Sequence, residues 1–283
     1  MSKKDFAVVI VNYNTAHLTI QTLESFYRNH RGENFKVVVV DNNSSDPEKE
    51  VLEDYFSNHK FGNLQVWWSE ENLGFGGGNN LGARVATEKS AGENGGDESK
   101  YLLFLNADTI LTENILGPLR MAFEAESDAQ ILSPLLRLEN GEVQEYLAGD
   151  FATLGGLVLG RNKDMRKKLG AKSPALLEVD WVSGCALAIQ RERFARLGGF
   201  DTDYFMYFED QDLCKRSANL GGKTALLTTA SLIHLGGKSI AKTNTRKDFY
   251  FASQDIFWKK HYSSISCLFL KILRVPYRWF NKD

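Results

Sequence analysis

Cysteine is scarce in this chain of 283 residues: Cys185, Cys214 and Cys267 lie far apart and form no CxxC pair. That excludes a disulfide scaffold or a zinc ribbon and fits unpaired thiols in a reducing compartment. A basic excess is missing as well. The net charge of −2 excludes a dedicated nucleic-acid binder, whereas a phosphate-bearing small ligand needs only a few local charges and a metal. No run of about 18 apolar residues occurs, so no membrane span is expected. Met1 to Asp5 run straight into a strand-like segment, with no apolar stretch ahead of a cleavage site, so no secretory signal is read. The expected location is the cytoplasm. No internal repeat is present.

Hydrophobic residues at 43% and charged residues at 25% suit one large α/β domain, or a core with an appended subdomain. The first hundred residues alternate between strand and helix. Phe6–Asn12 and Phe35–Val40 are apolar runs ending in polar residues, as buried parallel strands do. Thr15 is placed to cap a helix in which Leu18, Leu23, Phe26 and Tyr27 recur at helical spacing. A helix near Pro47–Ser57 and a strand near Leu64–Trp68 follow, then a glycine-rich turn, Asn72–Gly78, and a helix from about Asn79 to Thr87. Glu88–Lys100 reads as a polar surface loop, and Tyr101–Leu105 as another buried strand.

This order predicts a mostly parallel, doubly wound sheet, which binds ligands at the carboxyl ends of its strands. Polar clusters at Asn12–Asn14, Asp41–Asp46 and Asn106–Asp108 all fall at such ends. Asn140–Glu178 reads as loops and short elements over the sheet. Val179–Ile189 is expected as a strand, Arg191–Leu197 and Glu209–Leu220 as helices, and Ala225–Leu227 and Ser231–His234 as short strands.

Five ordered landmarks, VNYN, VDNNSSD, NLGFGGGNN, LNAD and FMYFEDQDLCKR, give the chain a resemblance over nearly its whole length. It resembles the family-2 glycosyltransferases, and within them the bacterial rhamnosyltransferase- and galactofuranosyltransferase-like members. The resemblance implies the GT-A α/β fold, with a glycosyltransferase domain over 1–240 and a C-terminal helical extension over 241–283. Within the domain it implies a nucleotide-binding half over 1–110 and an acceptor and catalytic half over 111–240. The implied activity is inverting, metal-dependent sugar transfer. The donor would be a nucleotide-diphosphate sugar (dTDP-rhamnose, or a UDP-hexose or galactofuranose), and the acceptor a saccharide or lipid-linked saccharide hydroxyl.

Residue by residue, Asn106-Ala107-Asp108 is similar to the family's DxD-type motif, with Asn106 standing where many relatives have the first Asp. Asp108 would share Mg²⁺ or Mn²⁺ with the donor diphosphate, since a hard cation needs oxygen ligands. The plain alternative is a strand-end turn. His234, in a segment like HxxGxS with Gly237 and Ser239, would complete the metal site, although a lone strand-end histidine is often structural. Asp41 would accept hydrogen bonds from the base or ribose, with Val11, Asn12 and Tyr13 lining the same pocket. Asn14, Thr15, Ser44 and Asp46 can instead be capping residues. Gly74 and Asn79 would let backbone approach the donor. Asp210 would be the catalytic base, assisted by Glu209 and Asp212; Asp212 stays open as the base, and acidic residues also favour helix N-termini. Trp181, Ser183 and Gly184 would hold the acceptor, and core packing serves Trp181 equally.

Three other readings fit less well. The glycines around Gly76 and Gly78 lack the third glycine of a dinucleotide-binding loop and follow the third strand instead of the first. A nucleotidyltransferase would carry a basic glycine-rich loop after the first strand, and VNYNTAHL has none. An inactive carbohydrate-binding protein of the same fold would lack the metal and base positions. Last, Ile265, Leu268, Phe269, Ile272 and Leu273 recur at helical spacing beside Lys271, Arg274, Arg278 and Lys282, with Tyr277, Trp279 and Phe280 at the end. Such a helix suits a peripheral contact with an anionic membrane, or packing on its own domain or on a second subunit as in a homodimer.

Overall fold

The computed structural model describes residues 4–87, 99–126, 128–154, 165–170, 173–236 and 243–280, with side chains of 243–245 and 275–280 left out. Most of the Glu88–Lys100 stretch, and Gly237 and Ser239, lie outside the described residues.

The β-branched runs become the first strands: β1 (Phe6–Asn12), β2 (Phe35–Asp41) and β3 (Leu64–Trp68), joined by β4 (Tyr101–Asn106). All pair in parallel, in the order β3-β2-β1-β4. β1 and β2 are buried almost throughout, as strands covered by helices on both faces must be. β3 is the edge and leaves Trp67 and Trp68 exposed. Beyond β4 the sheet is mixed. β5 (Thr109–Ile110), β6 (Ala129–Arg137), β8 (Leu176–Val179), β10 (Ala186–Gln190) and β11 (Lys223–His234) complete it, while β7 (Ala148–Gly149) pairs with β9 (Trp181–Val182). β10 runs antiparallel to both β4 and β6, and β6 runs parallel to β11.

Helices α1 (Ala16–Asn29), α2 (Asp46–Asn58) and α3 (Gly74–Thr87) connect the parallel strands. Then come α4 (Leu116–Ala125), α5 (Arg191–Arg196), α6 (Glu209–Asn219), α7 (Thr243–His261) and α8 (Ser264–Phe280).

Four local expectations change. The glycine-rich segment is not a turn before a helix: α3 begins at Gly74, and Gly76, Gly77 and Gly78 lie buried inside it. A Cβ at Gly78 would come within 2.9 Å of Val11, and one at Gly82 would overlap Val9, so the glycines seat α3 close on β1 and β2. The expected strand over Val179–Ile189 is broken at Ser183-Gly184-Cys185, which separates β9 from β10. The two short strands after Lys223 are one strand, β11, with a register shift between Leu227 and Ser231. Thr15 does take the position before α1, but its hydroxyl turns to Asn12 Oδ1 at 3.1 Å. The Ala16 N–H donates instead to Glu48 Oε2, at 2.7 Å.

The inner face of α1 is also more polar than its leucine and aromatic spacing implies. Thr19, Thr22 and Ser25 are buried beside Leu23 and Phe26. The Thr22 hydroxyl shares its one proton between the carbonyls of Ala107 and Thr109, each at 2.8 Å, and accepts from the Thr109 N–H at 3.1 Å, which ties down the loop that leaves β4.

Candidate active site

Three groups of polar side chains sit at strand ends, and short backbone links tie them together.

The first lies after β1 and β2. Asn12 and Asp41 are fully buried, and Asn12 Nδ2 donates to Asp41 Oδ1 at 2.8 Å and to Ser44 Oγ at 3.0 Å. Asn12 Oδ1 accepts from Thr15 and Thr19, while Asp41 Oδ2 accepts from the Ser44 N–H at 3.0 Å. Both expected nucleoside contacts are therefore held in an internal network, with Tyr13 exposed above them. The neighbouring Asn42 pins the chain between β3 and α3: it donates to Asn72 Oδ1 and the Gly74 carbonyl, and accepts from the Leu73 N–H. Asn79 lies in the second turn of α3, buried, and bonds back to the Phe75 carbonyl at 3.0 Å. It is not at the helix start, because the glycines ahead of it are already helical.

The second group lies where β4 and β11 end. Asp108 and His234 are both largely buried, with His234 Nε2 3.2 Å from Asp108 Oδ1. His234 Nδ1 donates to Gln144 Oε1 at 2.7 Å, which fixes the ring and turns Nε2 toward the carboxylate. Burial works against the imidazolium. The Cys185 sulfur and the Asp108 carboxylate outweigh that and raise the His234 pKa to about 10. Ala107 is buried, and Asn106 donates its backbone N–H to the Cys185 carbonyl at 2.8 Å.

Among the described residues, no group of three or more His, Cys, Asp or Glu side chains could hold a metal. One carboxylate and one imidazole would still fit a Mg²⁺ or Mn²⁺ that takes its other ligands from a diphosphate and water, provided that the cation displaces the proton His234 Nε2 shares with Asp108, because a ligating imidazole is neutral.

The third group is the start of α6. Tyr207 and Phe208 both have left-handed φ, 69° and 68°. Two consecutive bulky residues in that region mark a turn held by its surroundings. The turn delivers Glu209, Asp210 and Asp212 into the first turn of a helix, where the dipole favours carboxylates. Asp210 Oδ2 accepts from the Gly184 N–H at 2.9 Å, and Oδ1 from the Gln211 N–H at 2.7 Å. Burial pushes the Asp210 carboxyl above its ordinary range despite those two donors. Glu209 is pushed further up, by burial first and then by the charges of Asp210 and Asp212, and its Oε2 is buried with no hydrogen-bond partner.

Asp212 differs from both. It is buried against Arg216 Nε at 2.6 Å and His261 Nε2 at 2.7 Å, with the Tyr204 hydroxyl at 3.4 Å. Its oxygens are committed to holding α6, α7 and the turn together.

The broken strand connects the second and third groups. Gly184 donates to Asp210, and its neighbour Cys185 accepts from Asn106 and flanks His234. The candidate base and the candidate metal ligands thus lie on either side of one turn. A Cβ at Gly184 would come within 3.0 Å of the Phe75 ring, and Phe75 N–H donates to the Phe205 carbonyl at 2.9 Å, which brings α3 to the same place. Ser183 caps the turn through its hydroxyl, 3.3 Å from the Cys185 N–H. Trp181 is farther out: it packs over Gly149 and donates to the Asp150 carbonyl at 3.3 Å.

A family model described as glycosyl transferase family 2 matches residues 7–188. The chain belongs to glycosyl transferase family 2. It is 31% identical over 165 residues to the rhamnosyltransferase WbbL of Escherichia coli (strain K12), which covers 57% of this chain and 60% of that protein. It is 28% identical over 173 residues to the N-acetylglucosaminyl-diphospho-decaprenol L-rhamnosyltransferase of Mycobacterium tuberculosis (strain ATCC 25618 / H37Rv), over 56% of each. The matches therefore span less than two thirds of those relatives' length.

Among solved structures, GalNAc-T7 with UDP, GalNAc and Mn²⁺ superposes with a TM-score of 0.65 at 18% identity, covering 100% of this chain and 56% of that one. The mannosyltransferase PcManGT from Pyrobaculum calidifontis, in complex with GDP-Man and Mn²⁺, gives 0.62 at 16% identity, covering 99% and 72%. At those identities the likeness is one of fold, and the fold is the GT-A α/β type.

Within this family-2 fold, sequence reasoning missed Gln144, Asn42 and Phe75. Gln144 lies in a stretch without periodicity, so nothing in the sequence ties it to His234, 90 positions away. Asn42 stood inside the VDNNSSD landmark, in the polar cluster Asp41–Asp46, without a role of its own.

Proposed function

We propose that this chain transfers a sugar, with inversion, from a nucleotide-diphosphate donor to a hydroxyl of a saccharide or lipid-linked saccharide. The observation that carries this reading is the turn Ser183-Gly184-Cys185, with Asp210 bonded to one side and the Asp108–His234 pair on the other. Asp108 and His234 would hold a divalent cation, and a cation there offsets charge on a leaving diphosphate. Asp210 takes the proton of the attacking acceptor hydroxyl. Its two N–H donors orient the carboxylate, and its raised pKa makes it a better proton acceptor than an exposed aspartate. Glu209 lies buried beside it and helps to place the base or the acceptor. Asp212 positions α6 through Arg216 and His261.

Asn12 and Asp41 form the rigid floor of the donor pocket, while Tyr13, Val11, Gly74 and Asn79 shape its wall. Trp181 and Ser183 border the acceptor side. The nucleotide half, 1–110, and the acceptor half, 111–240, divide the work on this view.

Two relatives named as rhamnosyltransferases, one of them for a diphospho-decaprenol acceptor, support dTDP-rhamnose as donor and a lipid-linked glycan as acceptor. The test is a transfer assay with dTDP-rhamnose, UDP-galactofuranose and UDP-glucose, each with Mg²⁺, with Mn²⁺ and with chelator. Metal-dependent transfer from one donor, giving a product of inverted anomeric configuration, is expected. Transfer at full rate in chelator, or with retention, would contradict the reading.

A further inference from the structure

α8 carries an apolar face that its own fold leaves uncovered. Ile265, Leu268, Phe269, Ile272 and Leu273 are between 41% and 69% exposed. Their spacing puts all five on one stripe of the helix. The opposite face is engaged: Leu270 is buried with Phe257 and Trp258 of α7, Cys267 packs beside them, and Arg274 pairs with Asp255 at 2.7 Å. The helix is therefore docked, and the stripe is not core that lost its place. Single exposed apolar residues are ordinary, but five contiguous ones on a docked helix mark a binding surface.

Charge identifies the occupant. From Ile256 to Lys282 the sequence carries Lys259, Lys260, Lys271, Arg274, Arg278 and Lys282 and no Asp or Glu. Lys260 pairs with Asp201 and Asp203, and Arg274 with Asp255, which leaves exposed Lys259 and Lys271 as the described cations of this end of the chain. Lys271 lies exposed between the stripe residues. A symmetric dimer through this face would cover the stripe but would gather Lys271 of both copies into one interface without a described acidic partner on the stripe. An anionic lipid surface takes both the apolar stripe and the positive charge.

We infer that α8 lies in the interface of an anionic membrane, with its stripe among the acyl chains. No helix of the described residues is long and apolar enough to cross a bilayer, so the contact is peripheral. Its placement has a consequence. α7, which holds α8, also packs on the turn before Asp210, through Phe249 on Phe205 and Tyr250 on Phe208, and bonds Asp212 through His261. The membrane-facing helix is one packing layer from the candidate base.

The experiment is flotation of the full-length chain with vesicles of phosphatidylcholine alone, or with phosphatidylglycerol added, at low and high salt. Binding to the anionic vesicles that weakens with salt is expected. Phe269→Glu with Ile272→Glu should weaken it by about tenfold or more, at an unchanged melting temperature. If that double variant does not fold, Lys271→Glu serves instead and should lower binding at low salt, with little effect at high salt. Vesicle binding needs neither donor nor acceptor, so the result stands apart from the transfer assay. Absence of flotation at low salt would overturn the inference. So would flotation unaffected by both variants, or a dimer that the double variant dissociates without any vesicle binding.

Discussion

Glu209 is the residue whose environment costs the fold most visibly, because its carboxyl is buried with one oxygen unpartnered and two acidic neighbours. A carboxyl whose pKa is raised on folding binds its proton more tightly in the native state. The native state is thus favoured below the unfolded pKa, near the ordinary 4.5, and loses that advantage as pH rises through the folded value. Glu209→Gln should therefore raise stability at pH 7 by about 1 kcal/mol or more, with the gain disappearing in acid. Denaturant melts at pH 7 and pH 4 check this, and equal gains at both would contradict it.

Asp210 has the same direction of shift. As it must be ionised to accept a proton, the acid limb of kcat/KM should fall above the ordinary aspartate range. A limb at or below that range, read from a pH profile, would remove Asp210 as the titrating group.

Asp108→Ala should weaken metal-dependent binding of the nucleoside diphosphate more than that of the bare nucleoside, measured by calorimetry. Equal losses for both ligands would show that Asp108 does not act on the diphosphate. At this scale the ordered motifs nominate Asp108, His234 and Asp210 by position alone. Asp41 and Asn12 were expected as pocket residues, and the closed hydrogen-bond network that buries them was not legible. That network forms between residues 29 positions apart, which no local pattern encodes.

Among the elements, α3 argues most clearly from backbone to packing. Its glycines let the helix lie on β1 and β2, and a methyl at Gly82 would overlap Val9 and reach within 3.1 Å of Val40, both stiff β-branched side chains. Gly82→Ala should destabilise by about 1–3 kcal/mol although alanine is the better helix former. Gly62→Ala, where a Cβ meets nothing within 4 Å, is the control and should change stability little. Urea denaturation of the two variants decides, and a stable Gly82→Ala would mean that the glycines serve some need other than packing.

The sequence-based expectation of a turn here failed because glycine clusters signal turns unless a sheet surface presses on them, and that pressure is tertiary. The strand predicted over Val179–Ile189 broke for a similar reason. Ser183-Gly184-Cys185 has strand-like neighbours, but Gly184 gives its N–H to Asp210 instead of to a ladder. The helical spacing of α8 was fully legible, because an uncovered stripe owes nothing to distant contacts.

For the whole molecule, the first half was readable since β1, β2, β3 and β4 alternate with helices and pair in parallel, each local signal agreeing with the global one. The second half was not. β10 enters antiparallel between β4 and β6, and α7 returns over the turn before α6. Those long-range pairings bring Asp210, Gly184, Cys185, Asn106 and His234 to one place from four separate segments.

The central claim is that this place transfers sugar with Asp210 as base, while Asp212 only holds the scaffold. Its most direct test is turnover of Asp210→Asn beside Asp212→Asn, with donor affinity measured on the same preparations. The account predicts that Asp210→Asn keeps donor affinity and melting temperature and loses about a hundredfold or more in kcat. Asp212→Asn should lower the melting temperature and retain the greater part of its turnover at temperatures where it is folded. Normal kcat in Asp210→Asn, or the deep kcat loss appearing in a well-folded Asp212→Asn instead, would contradict it.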